Sequence, residues 1–249
     1  MKVNFPVYLS NKKKKARMES PLSLKDFQLL PKPKITKRIC LGITNGFGDF
    51  MGIASPFSIR FKLLMKQLFD GGSKQLLWDD EVPAGGREAW IQLIAEAVET
   101  SSICFSKSVR PDGAVGLPTV IGFGDGAFPA FSACIYIRWE TACKHSGGVH
   151  CDGDFVSNLL LAKARVTPLS GYTIPRSELS STVLMSRSAL TVVKALNADS
   201  SMQPSCVMMF SDSRCTISVA EKSTSALKPF FHNRVSELTE NIALMRKVC

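Results

Sequence analysis

Three acidic residues lie at the ends of predicted strands and helices, and their side chains have the chemistry of a metal site. Asp125 ends a predicted strand over 119–125, Asp212 ends another over 206–212, and Glu178 falls in the first turn of a helix between them. The carboxyl ends of parallel neighbouring strands share one sheet edge, where ligands of open α/β sheets bind. Carboxylate oxygens suit Mg²⁺. The pattern predicts phosphodiester hydrolysis by a two-metal route, with Mn²⁺ as an alternative ion and no histidine required.

Each carboxylate also has a purely structural interpretation, which the residues alone leave open. Asp125-Gly126 is typical of a turn. Glu178 is an acid that the dipole of a helix favours near its N-terminus, and Asp212 suits the N-cap of a following helix.

Trp78-Asp79-Asp80 has the letters of a polymerase acidic hairpin, but the next residues predict no return strand. A helix entry or a turn is the favoured interpretation there.

Cysteine and histidine residues offer a second kind of metal site. Cys143, His145, His150 and Cys151 fall close together, but their spacing is not one that zinc sites use, so a loop is favoured. The chain has eight cysteines and no Cys-x-x-Cys pair, and several lie in apolar stretches. This usage predicts reduced, buried thiols rather than a disulfide framework.

Hydrophobic periodicity predicts the elements that position the three acids. The predicted order is three strands, a helix that crosses back, a further strand buried on both faces, and two more helices. This order indicates an α/β fold in which helices cover a mixed sheet. The predicted strands span 119–125, 130–139, 155–166 and 206–212, and the predicted helices span 176–196, a short stretch after Ser213, and 229–246.

The N-terminal part differs in composition from the rest. Residues 1–38 hold eleven Lys or Arg against two acids, which is +9 of the net charge of +10, and prolines break them, so we expect an irregular tail or linker. Such a basic arm suits a phosphate backbone, although a solvated linker has the same composition. Residues 39–110 are predicted to be mainly helical, with one helix from Ser55-Pro56 to Gly71-Gly72 and another over 86–99.

No apolar run reaches the roughly 18 residues of a membrane span, and the N-terminus has no apolar signal region. We therefore expect an intracellular protein, cytoplasmic or nuclear, without a membrane partner.

Several stretches resemble the polymerase polyproteins of Pao/BEL-type LTR retrotransposons. Individually they are loose, but their order and spacing together are specific. They are ITKRICLGITNGFGDFMGIASPFSIRFKLLMKQLF (35–69), LLWDDEVP (76–83), DGAFPAFSACIYIRW (125–139), LLLAKARVTPLSGYTIPRSEL (159–179), FSDSRCTI (210–217) and FFHNRVSEL (230–238).

The resemblance implies a reverse transcriptase connecting segment over 39–115, after the basic segment 1–38, and a ribonuclease H-like domain over 116–249. It implies that Asp125, Glu178 and Asp212 are catalytic acids that bind two Mg²⁺ ions and cut the RNA strand of RNA·DNA hybrids. The rest of the polyprotein is the implied protein partner. The family's fourth carboxylate is expected beyond Cys249, so the domain is predicted to be C-terminally incomplete. Ser177 departs from the family pattern, which has an apolar residue there.

Four basic residues are predicted to contact nucleic acid: Lys163, Arg165, Arg176 and Arg234. Phosphate contacts from such residues would position a duplex. Charges that simply face solvent are the alternative for each of them. A different class of function is also open, namely a catalytically inactive retroelement remnant or domesticated fragment that binds nucleic acid or a protein.

Overall fold

The computed structural model describes residues 34–46, 49–70, 76–100, 108–142, 154–221 and 227–247. These residues form two compact units. The first holds the described residues up to 100 except 51–53, and the second holds 51–53 together with the described residues from 108 onwards. The stretch 51–53 belongs to the second unit, where the carbonyl oxygen of Met51 accepts a hydrogen bond from the Ala162 amide, 2.8 Å away.

The first unit is helical, as predicted, and its core is aromatic. The rings of Phe61 and Trp90 are both almost fully buried, with centroids 5.8 Å apart. Ser55, the predicted N-cap, lies instead inside its helix and is buried, and Ala54 takes the cap position. The helices are α1 (Lys37–Gly46), α2 (Ser55–Gln67) and α3 (Ala84–Thr100).

Helix α1 lies mostly in the region 39–110 that was predicted to be mainly helical, but it begins inside the segment 1–38 that was expected to be irregular. Its first residue, Lys37, is buried. The Lys37 ammonium lies 3.7 Å from the Phe69 ring centroid and donates a hydrogen bond to the Leu76 carbonyl oxygen.

The acidic pair Asp79-Asp80 after Trp78 forms a turn, in agreement with the favoured interpretation. Asp79 pairs with Arg38 at 2.8 Å, and Asp80 accepts a hydrogen bond from the Leu77 amide.

The second unit contains the predicted mixed sheet, which confirms the ribonuclease H-like fold class. The strand order is β3-β2-β1-β4, with two antiparallel pairs and a parallel pair between β1 and β4. A long helix connects β3 to β4. The elements are β1 (Ala114–Gly126), β2 (Ala130–Thr141), β3 (Asp154–Val166), α4 (Ile174–Leu196), a 3₁₀ turn (Ser200–Met202), β4 (Cys206–Phe210), α5 (Arg214–Ala220) and α6 (Pro229–Arg246).

Strand β4 is not buried on both faces, so that prediction was wrong. Cys206, Met208 and Phe210 alternate with half-buried residues and are exposed. The strand lies at one edge of the sheet and pairs only with β1 among the described strands. Its exposed face continues across β1, because the Phe210 ring stacks on that of Phe123, which is itself 45% exposed.

One face of β1 is shaped to receive α4. Residues two apart on a strand share a face, and Gly122, Gly124 and Gly126 succeed one another on the face that meets the helix. A methyl group added at Gly124 would lie 2.8 Å from Ser181 Oγ, and one at Gly126 would lie 2.3 Å from the backbone nitrogen of Glu178. The missing side chains therefore allow the helix backbone to approach the strand closely.

Two serines of α4 donate hydrogen bonds across this contact, one to the turn after β1 and one to β2. The hydroxyl of Ser177 donates to the Ala127 carbonyl oxygen, and that of Ser181 donates to the Ser132 carbonyl oxygen, each at 2.8 Å. Both serines are almost fully buried. A small side chain with a donor thus fits at position 177, where the family pattern has an apolar residue. On the other side of α4, Val235 and Leu238 of α6 pack against it.

Among the described residues, no helix is long and apolar enough to cross a membrane.

Substituting Gly126→Ala should destabilise the sheet unit by about 1–3 kcal/mol, because the new methyl group meets backbone atoms of Ser177 and Glu178 that cannot rotate away. Urea denaturation measures this change. Gly85→Ala in α3 is the matched control, since nothing lies within 4 Å of its added methyl group, and we expect a gain of about 0.4–1 kcal/mol. Equal effects at the two positions would contradict the close approach.

Candidate functional site

The two aspartates lie at the same end of the parallel strand pair. The last paired residues of β1 and β4 are Phe123 and Phe210, and Asp125 and Asp212 each come two residues later. Asp125 is still in β1, where it pairs with Ser132, and it shares the exposed face of Phe123. Both aspartates are exposed. Their carboxylates are therefore accessible to solvent at one end of the sheet.

Glu178 comes to the same end of the sheet on α4. It is the fifth residue of that helix, slightly later than the predicted first turn, because the helix already begins at Ile174. Its backbone packs against Gly126, the residue after Asp125. Its carboxylate oxygen Oε2 accepts a hydrogen bond from the hydroxyl of Ser213, the residue after Asp212, at 2.7 Å. Glu178 is thus in contact with the chain neighbours of both aspartates.

Two of the structural alternatives for these acids are wrong. Asp125 and Gly126 lie within β1 rather than in a turn. The N-cap of α5 is Ser213, whose hydroxyl accepts from the Thr216 amide, so Asp212 does not cap that helix. Neither aspartate therefore has the structural role that its sequence context offered.

The donor set fits a hard divalent cation. Among the described residues, no group of three or more His, Cys, Asp or Glu side chains is arranged to hold a metal ion. Mg²⁺, however, is usually held by one or two protein carboxylates together with water and substrate phosphate oxygens. Asp125 and Asp212 supply exposed carboxylates of this kind, and Glu178 is half-buried at the same end of the sheet.

The predicted basic residues are found on the helix-bearing side of the sheet and on the helices. Lys163 and Arg165 are exposed on β3, two residues apart and therefore on one face, opposite Ala133 and Phe131 of β2. Arg165 lines a pocket of about 190 Å³ together with Arg234 of α6, whereas Lys163 and Arg176 do not belong to its lining. Two of the four predicted residues therefore line one pocket.

Arg176 and Arg234 both contact the ring of Phe230. Their guanidinium carbons lie 4.9 Å and 3.6 Å from its centroid. Arg234 also donates to the Ser180 hydroxyl oxygen at 3.2 Å, and that hydroxyl is hydrogen-bonded to the Tyr172 hydroxyl. Cation–π contacts and hydrogen bonds therefore hold both guanidinium groups in fixed positions.

The match to a protein-family model covers residues 36–213, and the family is described as the Pao retrotransposon-like RNaseH-like domain. This is more than half of the chain. The chain belongs to the Pao retrotransposon family. Comparisons with curated proteins and with solved structures give no match. The matched range of the Pao domain includes Asp125, Glu178 and Asp212, whereas Arg234 on α6 lies outside it.

Two further residues of the Pao domain contact the candidate residues, and the sequence did not indicate either of them. The contact of Ser213 has no local sequence signal, because its hydrogen bond joins it to Glu178, 35 positions away. Arg187 lines the same pocket as Arg165 and Arg234 and pairs with Glu237 through two hydrogen bonds, of which Nη2 to Oε2 measures 2.6 Å. Arg187 reaches this pocket only because α4 packs against α6, and the sequence of α4 alone does not indicate that packing.

The predicted zinc-type cluster, Cys143, His145, His150 and Cys151, lies outside the described residues. Among the described cysteines, Cys40, Cys134, Cys206 and Cys215 are free thiols. Cys40 is buried as expected, and burial raises the pKa of its thiol to about 12. Cys206 and Cys215 are exposed, so the prediction of buried thiols was wrong for them.

The ion pair between Arg187 and Glu237 makes stability depend on pH. The hydrogen bond from Arg187 lowers the pKa of the Glu237 carboxyl below its ordinary value of 4.5. The pair therefore stabilises the fold above about pH 4.5, and this contribution is lost as the pH falls through the lowered pKa.

Glu237→Gln should lower the free energy of unfolding at pH 7 by less than about 1 kcal/mol, because both side chains are partly exposed. The difference from the unsubstituted chain should disappear as the pH is lowered below the Glu237 pKa. Urea denaturation at a series of pH values measures it. A difference that grows as the pH falls would show that the pair does not stabilise the fold.

Proposed function

We propose that this Pao-family domain is a Mg²⁺-dependent nuclease that cuts the RNA strand of RNA·DNA hybrids during reverse transcription of its element. The observation that supports it best is the arrangement of three acids around one end of the sheet. Asp125 and Asp212 each follow the last parallel pair by two residues, and Glu178 contacts the neighbours of both. Membership of an RNaseH-like family supports the same reaction.

Each acid would have a distinct part in holding the ions. Asp125 and Asp212 are exposed and would bind them from two neighbouring strands, and Glu178 would contribute an oxygen from the helix. When bound, two divalent ions supply an activated water and stabilise the charge on the leaving oxygen. The protein itself would supply the fixed orientation of the carboxylates.

The basic residues would position the nucleic acid. Arg165, Arg187 and Arg234 line one pocket with a single acid, Glu237, so its charge is positive and suits a phosphate group. Lys163 and Arg176 would add phosphate contacts around it. Selection of the RNA strand would depend on its 2′-hydroxyl groups and its minor groove. The rest of the polyprotein would be the protein partner.

Asp125→Asn, Glu178→Gln and Asp212→Asn should each lower Mg²⁺-dependent cleavage of a labelled RNA·DNA hybrid by on the order of 100-fold or more, because each removes a charged oxygen ligand. Gel analysis of single-turnover cleavage measures this. Asp154→Asn is the matched control, since Asp154 is exposed at the other end of the sheet, opposite Thr141. Full activity in the three variants would overturn the proposal.

A second candidate function is binding without catalysis. It is favoured by the finding that the described residues contain no preassembled group of three metal ligands, whereas the arginine pocket is already formed. In the same experiment, hybrid binding that weakens steeply with salt, with no Mg²⁺-dependent product, would support this alternative.

A further inference from the structure

Ser213 uses one hydroxyl group for two hydrogen bonds between different elements. Its oxygen accepts from the Thr216 amide at 3.1 Å, which caps α5. Its proton is donated to Glu178 Oε2 at 2.7 Å, which connects the end of β4 to α4. Ser213 is 7% exposed, so water has little access to compete for these bonds. The two bonds use the donor and the acceptor capacity of the same group.

We propose that Ser213 is a positioning residue that orients the Glu178 carboxylate for metal binding, an inference that rests on the proposed nuclease function. The Glu178 backbone is already fixed where Gly126 packs against it. Its side chain still has three rotatable bonds, and the bond from Ser213 holds one carboxylate oxygen in place. Because Ser213 directly follows Asp212, the same bond also sets Glu178 relative to the strand that carries that aspartate.

Helix capping alone does not require this residue type. Aspartate and asparagine cap helices as well as serine does, and glycine is almost as good. An ionised aspartate has no proton to donate to Glu178, whereas serine and threonine hydroxyls donate and accept at once. The donated bond, rather than the cap, is therefore the part of Ser213 that should affect chemistry.

Loss of the hydrogen bond from Ser213 to Glu178 should lower metal affinity and activity. Removing a group that orients a metal ligand typically lowers metal affinity or activity by about 10-fold to 100-fold. The loss should fall on the chemical step and on metal affinity, because Ser213 is buried and the basic residues that would hold the hybrid are elsewhere.

The test compares Ser213→Gly, Ser213→Ala and Ser213→Thr in the full 249-residue chain. Glycine keeps most of the capping but has no hydroxyl, alanine loses both, and threonine keeps both. Circular dichroism and thermal unfolding report the fold. Cleavage of an RNA·DNA hybrid gives kcat and KM, and a Mn²⁺ titration of the activity gives the half-saturating concentration.

We expect Ser213→Gly to unfold close to the unsubstituted chain but to lose about 10-fold to 100-fold in kcat. KM for the hybrid should be unchanged, and the half-saturating Mn²⁺ concentration should rise. Ser213→Ala should match it in kcat while being less stable, and Ser213→Thr should recover most of the activity.

A folded Ser213→Gly chain with unchanged kcat and Mn²⁺ dependence would overturn the role of Ser213 and leave the nuclease proposal intact. Activity that follows thermal stability across the three variants would also overturn it, since capping would then explain the losses. A chain that folds but cleaves nothing with Ser213 in place would overturn the nuclease function and this role with it.

Discussion

The close approach of α4 to β1 is the contact on which the site depends. Side chains normally separate a helix from the sheet that it covers, but the inward face of β1 carries only hydrogen atoms at Gly122, Gly124 and Gly126. The backbone of Glu178 can therefore lie directly against Gly126. Since Asp125 precedes Gly126 and points to the other face, the strand separates the helix from the aspartate by only one layer of backbone.

Hydrogen bonds replace apolar packing where the helix is nearest to the strand. The buried hydroxyls of Ser177 and Ser181 donate to carbonyl groups of the β1–β2 turn and of β2, which fixes both the rotation of α4 and its position along the sheet. The same helix carries Arg187 to the arginine pocket and packs against α6. One helix placement thus determines where the acid and one of the pocket's basic groups lie.

The sequence was sufficient for the order of the elements and for the shared end of the two aspartates. Strand periodicity and the crossover helix are local patterns, and they imply a parallel β1–β4 pair that the structure confirms. The position of Glu178 in the first turn of the crossover helix allowed it to reach the same place, and the family resemblance strengthened that prediction. The alternating glycines of β1 are the local sequence signal for that contact.

Other features required the packed structure. A short apolar run looks the same in a central strand and at an edge, so the exposure of Met208 and Phe210 on β4 could not be read from it. Helix α1 begins with a lysine whose ammonium is satisfied by an aromatic ring and a distant carbonyl group. Asp212 and Ser213 are both good capping residues, and only the geometry shows that the serine caps α5.

The proposed divalent cation site combines Asp125, Glu178 and Asp212. Amide NMR spectra of the ¹⁵N-labelled chain during a Mn²⁺ titration test it most directly, because the bound paramagnetic ion broadens the signals of nearby residues. We expect early, selective loss of signals around these three residues, with recovery on adding excess Mg²⁺. Broadening that is uniform, or that is centred elsewhere on the chain, would contradict it.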